Sequence, residues 1–283
     1  MVLNKHQKLA RGMKTVLKNL DDFYEKITEQ VCNLVREVGT FIQQERQNFS
    51  SERIEIKAKN DLVSYVDREA EQKLVTALKM IFPDAGFIVE ENSENYQKEL
   101  NWIIDPLDGT TNFIHGIPCY CISVALAREK EILVAVVLEV SRSEIFYSWQ
   151  NGKSFLNDKI ISVSNTAQLN DSLIATGFPV NNFERMQGYL KAVEYFVRNT
   201  HGVRRIGAAA ADLCYVACGR LDAFFEFNLK PWDVAAGALI VQNAGGFVSD
   251  FSESNNWLFG KEIMVGTAAI KAEFGAIIQK SFF

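Results

Sequence analysis

NWIIDPLDGTTNF, residues 101–113 of the 283-residue chain, sets an apolar run against a cluster of acids, hydroxyls and one glycine. Trp102 to Ile104 has the character of a buried strand end, and it delivers Asp105 and Asp108 onto a short turn expected to be braced by Pro106. Two carboxylates and the Leu107 carbonyl between them can then face one point, an all-oxygen set suited to a hard divalent cation such as Mg²⁺. Gly109-Thr110-Thr111-Asn112 follows, with hydroxyls and backbone N–H groups at a predicted helix start, where anions collect. Metal ligands running directly into an anion seat point to metal-assisted transfer of a phosphoryl group to water. Asp-Pro and Asp-Gly pairs are also ordinary surface-turn formers, so this reading requires other acids to reach the same place.

Three further acids are placed to do so. Glu90 closes the short apolar strand Phe87–Val89, as Asp105 closes its own, and neighbouring strands bring their ends together. Asp233 follows Pro231 and Trp232 at a predicted helix start, where it serves as an acidic first-turn residue and can also be aimed into a cleft. Glu226 ends the apolar run Phe224–Phe225 and is an unexpected core residue unless paired. Carboxylates gathered within roughly 5 Å would repel by about 3 kcal/mol per contact at an effective dielectric near 20, a repulsion that cations must offset.

The remaining sequence predicts mixed α/β layers around two sheets. Phe23, Ile27, Val31, Leu34 and Val38 recur at helical spacing between Asp21 and Gln47, and Ala70, Leu74, Ala77, Leu78 and Ile81 do so after Asp67. Cys121–Ala127, Ile132–Val140 and Glu144–Trp149 read as an antiparallel meander, with Asn151-Gly152 as a hairpin signal. Beyond it come strands at Leu173–Thr176, Ala223–Phe227 and near Phe247 and Met264, with helices over 183–198, 208–217, after Pro231 and from Ala268. The expected organisation is a basic extension over residues 1–20, a half spanning 21–150 that carries the metal motif, and a half spanning 151–283, joined as one compact unit.

Composition narrows the function classes. A hydrophobic content of 48% suits a globule with a substantial core, and 30 basic against 35 acidic residues, net charge −5, disfavours a nucleic-acid binder that relies on a basic face. The five cysteines form no zinc-type pairs; Cys214 and Cys218 are expected as small buried groups on one helix face, and a reducing cytoplasm is the expected home. His6, His115 and His201 are too scattered for a zinc site or a catalytic triad, although His115 could rim the site. No apolar run reaches the roughly 18 residues that a membrane span needs. Residues 1–20 hold Lys5, Lys8, Arg11, Lys14 and Lys18 and no acid, but lack the serines of a targeting presequence.

Taken together, Asn60-Asp61-Leu62-Val63 leading to Asp67, Glu90-Glu91, Trp102 to Phe113, and Trp232-Asp233-Val234-Ala235-Ala236-Gly237 leading to Ala244-Gly245-Gly246 resemble the inositol monophosphatase family of Mg²⁺-dependent, lithium-sensitive phosphatases. The resemblance runs from about Leu20 to the C-terminus. It implies an αβαβα sandwich of the inositol monophosphatase and fructose-1,6-bisphosphatase type, a homodimer, and two Mg²⁺ per site with a looser third. By the same resemblance, Glu90, Asp105 and the Leu107 carbonyl would hold the first ion. Asp105, Asp108 and Asp233 would hold the second, and Glu90, with Asp67 nearby through water, would hold the third. Gly109 and Thr110 match phosphate contacts; Ala209 and Glu226 match the polyol-facing positions, with Asp108 and Asp233 bordering the substrate. Lys57 matches a lysine that precedes the Asn-Asp pair, with Lys59 as its competitor. Ala208 stands where relatives often carry Ser or Thr, and the loop from Gly177 to Val180 lacks a substrate-contacting serine.

The expected chemistry is in-line attack by a metal-activated water, oriented by Thr110, which is expected to be hydrogen-bonded toward Glu90. The expected substrate is a small phosphomonoester, inositol 1-phosphate first. Fructose 1,6-bisphosphate and a nucleoside 3′(2′),5′-bisphosphate are alternatives, although Thr111-Asn112-Phe113 lacks the charged pair of the latter's enzymes. A mainly regulatory protein contacting transcription or ribosome machinery is the rival of another class.

Overall fold

The computed structural model describes the backbone of residues 5–49, 54–58, 61–91, 97–179 and 182–283, and the side chains of 20–49, 65–91, 97–179 and 182–283. The elements run α1 (Lys5–Gln47), β1 (Ile54–Ala58), β2 (Asp61–Ser64), α2 (Tyr65–Ile81), β3 (Gly86–Val89), β4 (Leu100–Asp108) and α3 (Thr110–His115). They continue with β5 (Cys121–Arg128), β6 (Glu131–Glu139), β7 (Glu144–Trp149), β8 (Phe155–Leu156), β9 (Lys159–Ile160) and β10 (Leu173–Thr176). The last third holds α4 (Met186–Asn199), β11 (Gly202–Arg204), α5 (Ala209–Ala217), β12 (Ala223–Phe227), α6 (Pro231–Asn243), β13 (Gly246–Ser249), β14 (Glu262–Thr267) and α7 (Lys271–Phe282).

Strands β3 to β9 lie in sequence order in one seven-stranded sheet; β3 and β4 are parallel and the following pairs antiparallel. A five-stranded sheet has the order β11-β10-β12-β14-β13, and β1 and β2 form a separate ribbon. Strands β8 and β9 place the end of the first sheet beyond residue 150, so the expected division at 150/151 falls inside that sheet.

Side-chain alternation assigns the layers. Trp102, Ile104, Ile122, Val124 and Leu126 face α1 and α2, whereas Ile103, Cys121, Ala125 and Ala127 face α5 and α6. The second set is smaller, which lets α6 lie close across the inner face of β4, β5, β6 and β7. Helices α5 and α6 also pack on the five-stranded sheet, whose far face is covered by α4 and α7 around Phe196, Phe225 and Phe274. The result is the expected αβαβα sandwich, with a shared apolar core between the sheets.

Two local details differ from the sequence reading. Helix α1 turns Tyr24 inward with Ile27, Val31, Val35, Val38 and Ile42, and Phe23 is left 45% exposed, because the inward stripe follows Tyr24 rather than its neighbour. The expected turn at Asp105–Asp108 is a bulge within a continuous strand: Asp105 pairs with Ser123 and Asp108 with Cys121, so three steps on β4 match two on β5. Pro106 has no N–H to give to a ladder, and a bulge accommodates it where regular pairing would not. The extra residue changes the parity of the strand. Asp105 and Asp108, three apart, both oppose residues whose side chains face the inner helices.

At the chain's end, Arg185 is enclosed by aromatic rings. Its guanidinium carbon lies 4.7 Å from the Phe282 centroid, 5.3 Å from Phe283 and 5.5 Å from Phe251, and the side chain pairs with Glu262.

Candidate active site

The inner helices carry the second half of an acidic pocket to the bulge. Alanines at 208 to 211 let α5 begin directly against β4, and the Ala210 N–H donates to Asp108 Oδ2 at 2.7 Å. Helix α6 starts at Pro231, whose missing N–H costs nothing at a helix start. Ser123 on β5 donates to the Trp232 carbonyl at 3.1 Å, pinning that start to the first sheet. Asp233, in the first turn, accepts the Lys230 N–H at 2.6 Å. Both roles expected of Asp233 are thus present in one side chain, a helix cap that also lines the pocket.

The pocket has a volume of about 200 Å³, and its lining includes Glu90, Asp108, Thr110, Asp212, Glu226 and Asp233, together with Gly109 and Ala209. That is below the roughly 300 Å³ at which drug-sized sites begin, so the occupant is small. Asp105 is buried behind the wall, and its Oδ1 accepts the Leu107 N–H at 3.0 Å. Gly109 has φ +87°, and a Cβ there would meet the Cys119 carbonyl at 3.1 Å and the Ala208 methyl at 3.2 Å. The positive φ strains any other residue there, and a Cβ would also press its neighbours back by a few tenths of an ångström. Asn112 donates to the carbonyls of Cys119 at 2.8 Å and Ile206 at 2.9 Å, fixing α3 to the approach of α5.

Thr110 does not take the partner expected for it. Its Oγ1 donates toward Asp67 Oδ1 at 2.9 Å and toward the Leu107 carbonyl at 3.0 Å. The reason lies in packing: the first turn of α2 brings the buried Asp67 carboxylate onto the start of α3, while Glu90 remains on the pocket wall. The Leu107 carbonyl, expected as a metal ligand, serves the same hydroxyl.

Electrostatics mark the pocket as strained toward negative charge. Desolvation, then Glu90, Asp108 and Asp233, hold the Asp105 carboxyl well above the usual carboxylate range. Asp108 is pushed up to about 7 by desolvation against the downward pull of the Ala210 N–H, and Asp233 to about 7 by desolvation and by Asp108. Glu226 is raised by desolvation and then by Asp212, Asp233 and Asp108, with Arg205 acting in the opposite sense. Among the described residues no three His, Cys, Asp or Glu side chains are drawn together into a finished metal cage. Three of the carboxylates instead hold one backbone N–H each. The donor chemistry still fits a hard cation: the side-chain ligands are carboxylates, and each raises its neighbours' affinity for protons, a cost that divalent charge removes.

Other expectations are settled by position. Cys214 is buried in α5 and Cys218 caps it, and all five cysteines are free thiols. His115 ends α3 away from the pocket lining. Lys59, Asn60, the Lys57 side chain and Val180 lie outside the described residues. Sequence reasoning missed Asp212, Arg205 and Phe178 on the pocket wall. For Asp212 a signal existed, a lone acid in the otherwise apolar Ala209–Ala217.

A sandwich of this layering with an acid-lined pocket between its sheets is the scaffold of the metal-dependent phosphatases that act on small phosphomonoesters. The chain belongs to the inositol monophosphatase family, whose sequence model matches residues 24–281. It is 43% identical over 221 residues to a Nus factor SuhB of Pseudomonas aeruginosa, covering 75% of this chain and 81% of that one. It is 38% identical over 229 residues to an inositol-1-monophosphatase of Rhizobium meliloti, covering 80% and 86%. The structure of extragenic suppressor protein suhB from Bartonella henselae superposes with a TM-score of 0.84 at 35% identity, covering 90% of this chain and 99% of that one.

Proposed function

We propose that the protein is a Mg²⁺-dependent phosphomonoester hydrolase whose preferred substrate is inositol 1-phosphate. The observation that carries the reading is Thr110, hydrogen-bonded to the buried Asp67, lining one small pocket with Glu90, Asp108 and Asp233. Magnesium, when bound by Glu90, Asp105, the Leu107 carbonyl, Asp108 and Asp233, supplies the charge that activates water and stabilises the departing oxygen. Thr110 donates its only hydroxyl proton, so its lone pairs face the pocket as acceptors for a water proton. Asp67, buried, fixes that orientation and takes the proton that Thr110 passes on. Gly109 and Thr110, at the start of α3, present backbone N–H groups to the phosphate, and Ala209 and Glu226 border the alcohol portion. A cytoplasmic homodimer inhibited by lithium completes the reading.

Phosphate release from inositol 1-phosphate, fructose 1,6-bisphosphate and adenosine 3′,5′-bisphosphate, each with Mg²⁺, with Mg²⁺ and lithium, and in excess chelator, tests it. Release that is undiminished in chelator would end the metal-dependent account, and a preference for either bisphosphate would replace the substrate.

A second reading is favoured by the 43% identity to a relative named as a Nus factor. In it the protein acts chiefly by binding transcription machinery, and nucleic acid would join its partners. A catalytically dead Asp108→Asn variant that keeps full biological activity would select this reading over the first.

A further inference from the structure

Two acids interrupt the inward face of α2. Asp67 and Glu71, one turn apart, are 1% and 3% exposed among Val66, Ala70, Leu74, Val75 and Leu78, on a helix that packs against β4 and α1. Apolar residues would fill those two positions more readily, since a carboxylate is stable in such a layer only where partners replace water. Asp67 has its partner in Thr110. Glu71 has one on the other side of the site, where its Oε2 accepts the Glu91 N–H at 2.8 Å.

That N–H belongs to the peptide plane joining Glu90 to Glu91. Strand β3 pairs with β4 from Gly86 to Val89, opposite Asn101 to Ile104, so the ladder stops one residue before Glu90. The next step of the same register sets Glu90 level with Asp105, and Glu90 lines the pocket. With the end of the ladder on one side of Glu90 and the Glu71 bond on the other, both backbone dihedrals of Glu90 are constrained, and with them the direction in which its side chain leaves the chain. We infer that Glu71 is a positioning residue: by holding the Glu91 N–H it sets the backbone from which Glu90 reaches the cation. One face of α2 then aligns both sides of the site, Thr110 through Asp67 and Glu90 through Glu71. This rests on the reading of Glu90 as a Mg²⁺ ligand. Removing a group that orients a ligand typically weakens metal binding by about 10- to 100-fold.

The test is titration of the metal-free protein with Mg²⁺, followed calorimetrically without substrate, on wild type, Glu71→Leu and Glu71→Gln. Leucine suits the apolar face and offers the Glu91 N–H no acceptor, whereas glutamine gives back an acceptor oxygen without the charge. Glu71→Leu is expected to weaken Mg²⁺ binding about tenfold, and Glu71→Gln to stay within about threefold of wild type. The Tm in excess chelator records what each substitution does to the fold by itself; a merely structural glutamate would move that Tm and leave the Mg²⁺ affinity of the folded protein unchanged. Should Glu71→Leu fail to fold, Glu71→Asp takes its place, because it keeps charge and acceptor but stops one methylene short of Glu91, and it too is expected to bind Mg²⁺ more weakly. Wild-type affinity in the leucine variant, or in the aspartate variant that replaces it, overturns the assignment. A glutamine variant as weak as that one also overturns it, by showing that charge and not the bond to Glu91 matters. Wild type that takes up no Mg²⁺ overturns the metal reading of the site, and the role of Glu71 with it.

Discussion

Thr110 and Asp67 come from helices 43 residues apart, and their contact is where the chemistry is most exposed to a single atom change. Thr110→Ala removes the hydroxyl that orients water, an interaction made in the transition state, so kcat is expected to fall about 100-fold with KM nearly constant. Thr110→Ser keeps the hydroxyl and should retain most of the rate; equal losses in both variants would show that the methyl group, not the proton path, matters. The acids of this site were legible from local pattern: Glu90, Asp105 and Glu226 each follow an apolar run, and Asp233 follows Pro231 and Trp232 at a helix start. The partner of Thr110 was not, because it is fixed by how α2 docks against α3, which no local pattern encodes. Asp212 was hidden for a different reason: an acid at a helix start is ordinarily explained by the dipole alone.

At the level of elements, α6 joins architecture to chemistry through Asp233. The side chain both caps the helix and faces the other acids, so two substitutions separate the roles. Asp233→Asn keeps an oxygen for the Lys230 N–H, whereas Asp233→Ala does not, and the alanine variant should be less stable than the asparagine variant by about 1 kcal/mol in denaturant titration. Both should lose Mg²⁺-dependent turnover; activity surviving in either would remove Asp233 from the site. The C-terminal helix offers a second case. Removing Phe282 and Phe283 strips two rings from Arg185 and leaves its pairing with Glu262 open to water, and the Tm should fall by several degrees, a loss of about 2 kcal/mol. Long amphipathic helices and the β5–β7 meander were readable from periodicity. The short strands β8, β9 and β11, two or three residues each, were not, because so few residues carry no period and are held by pairing partners alone.

For the molecule as a whole, the crowding of acids makes stability depend on protons and metal together. Asp108 and Asp233 are pushed up to about 7 in the folded protein, against 3.8 for an unperturbed aspartate. The folded state therefore holds more protons than the unfolded one between those values. Stability is complete below about pH 4 and declines as pH rises through 7, by at most about 1.4 kcal/mol per unit for each group. Metal-free protein is expected to melt lower at about pH 7.5 than at about pH 5, and saturating Mg²⁺ should close much of that gap, with more stabilisation at the higher pH. A metal-free Tm that holds steady or climbs across the window would contradict the shared charge of the pocket. The β4 bulge carries a last consequence. A strand is a two-beat lattice, and the pocket exists because that lattice contains a fault of one residue. Deleting Leu107 would heal the fault and leave Asp108 opposite Cys121 on the inner side, but it would take away the carbonyl that the Thr110 hydroxyl meets and shorten the path from β4 to α3 by one residue. The protein's reactivity is thus housed in an imperfection, and a mutation that perfected the sheet would silence it.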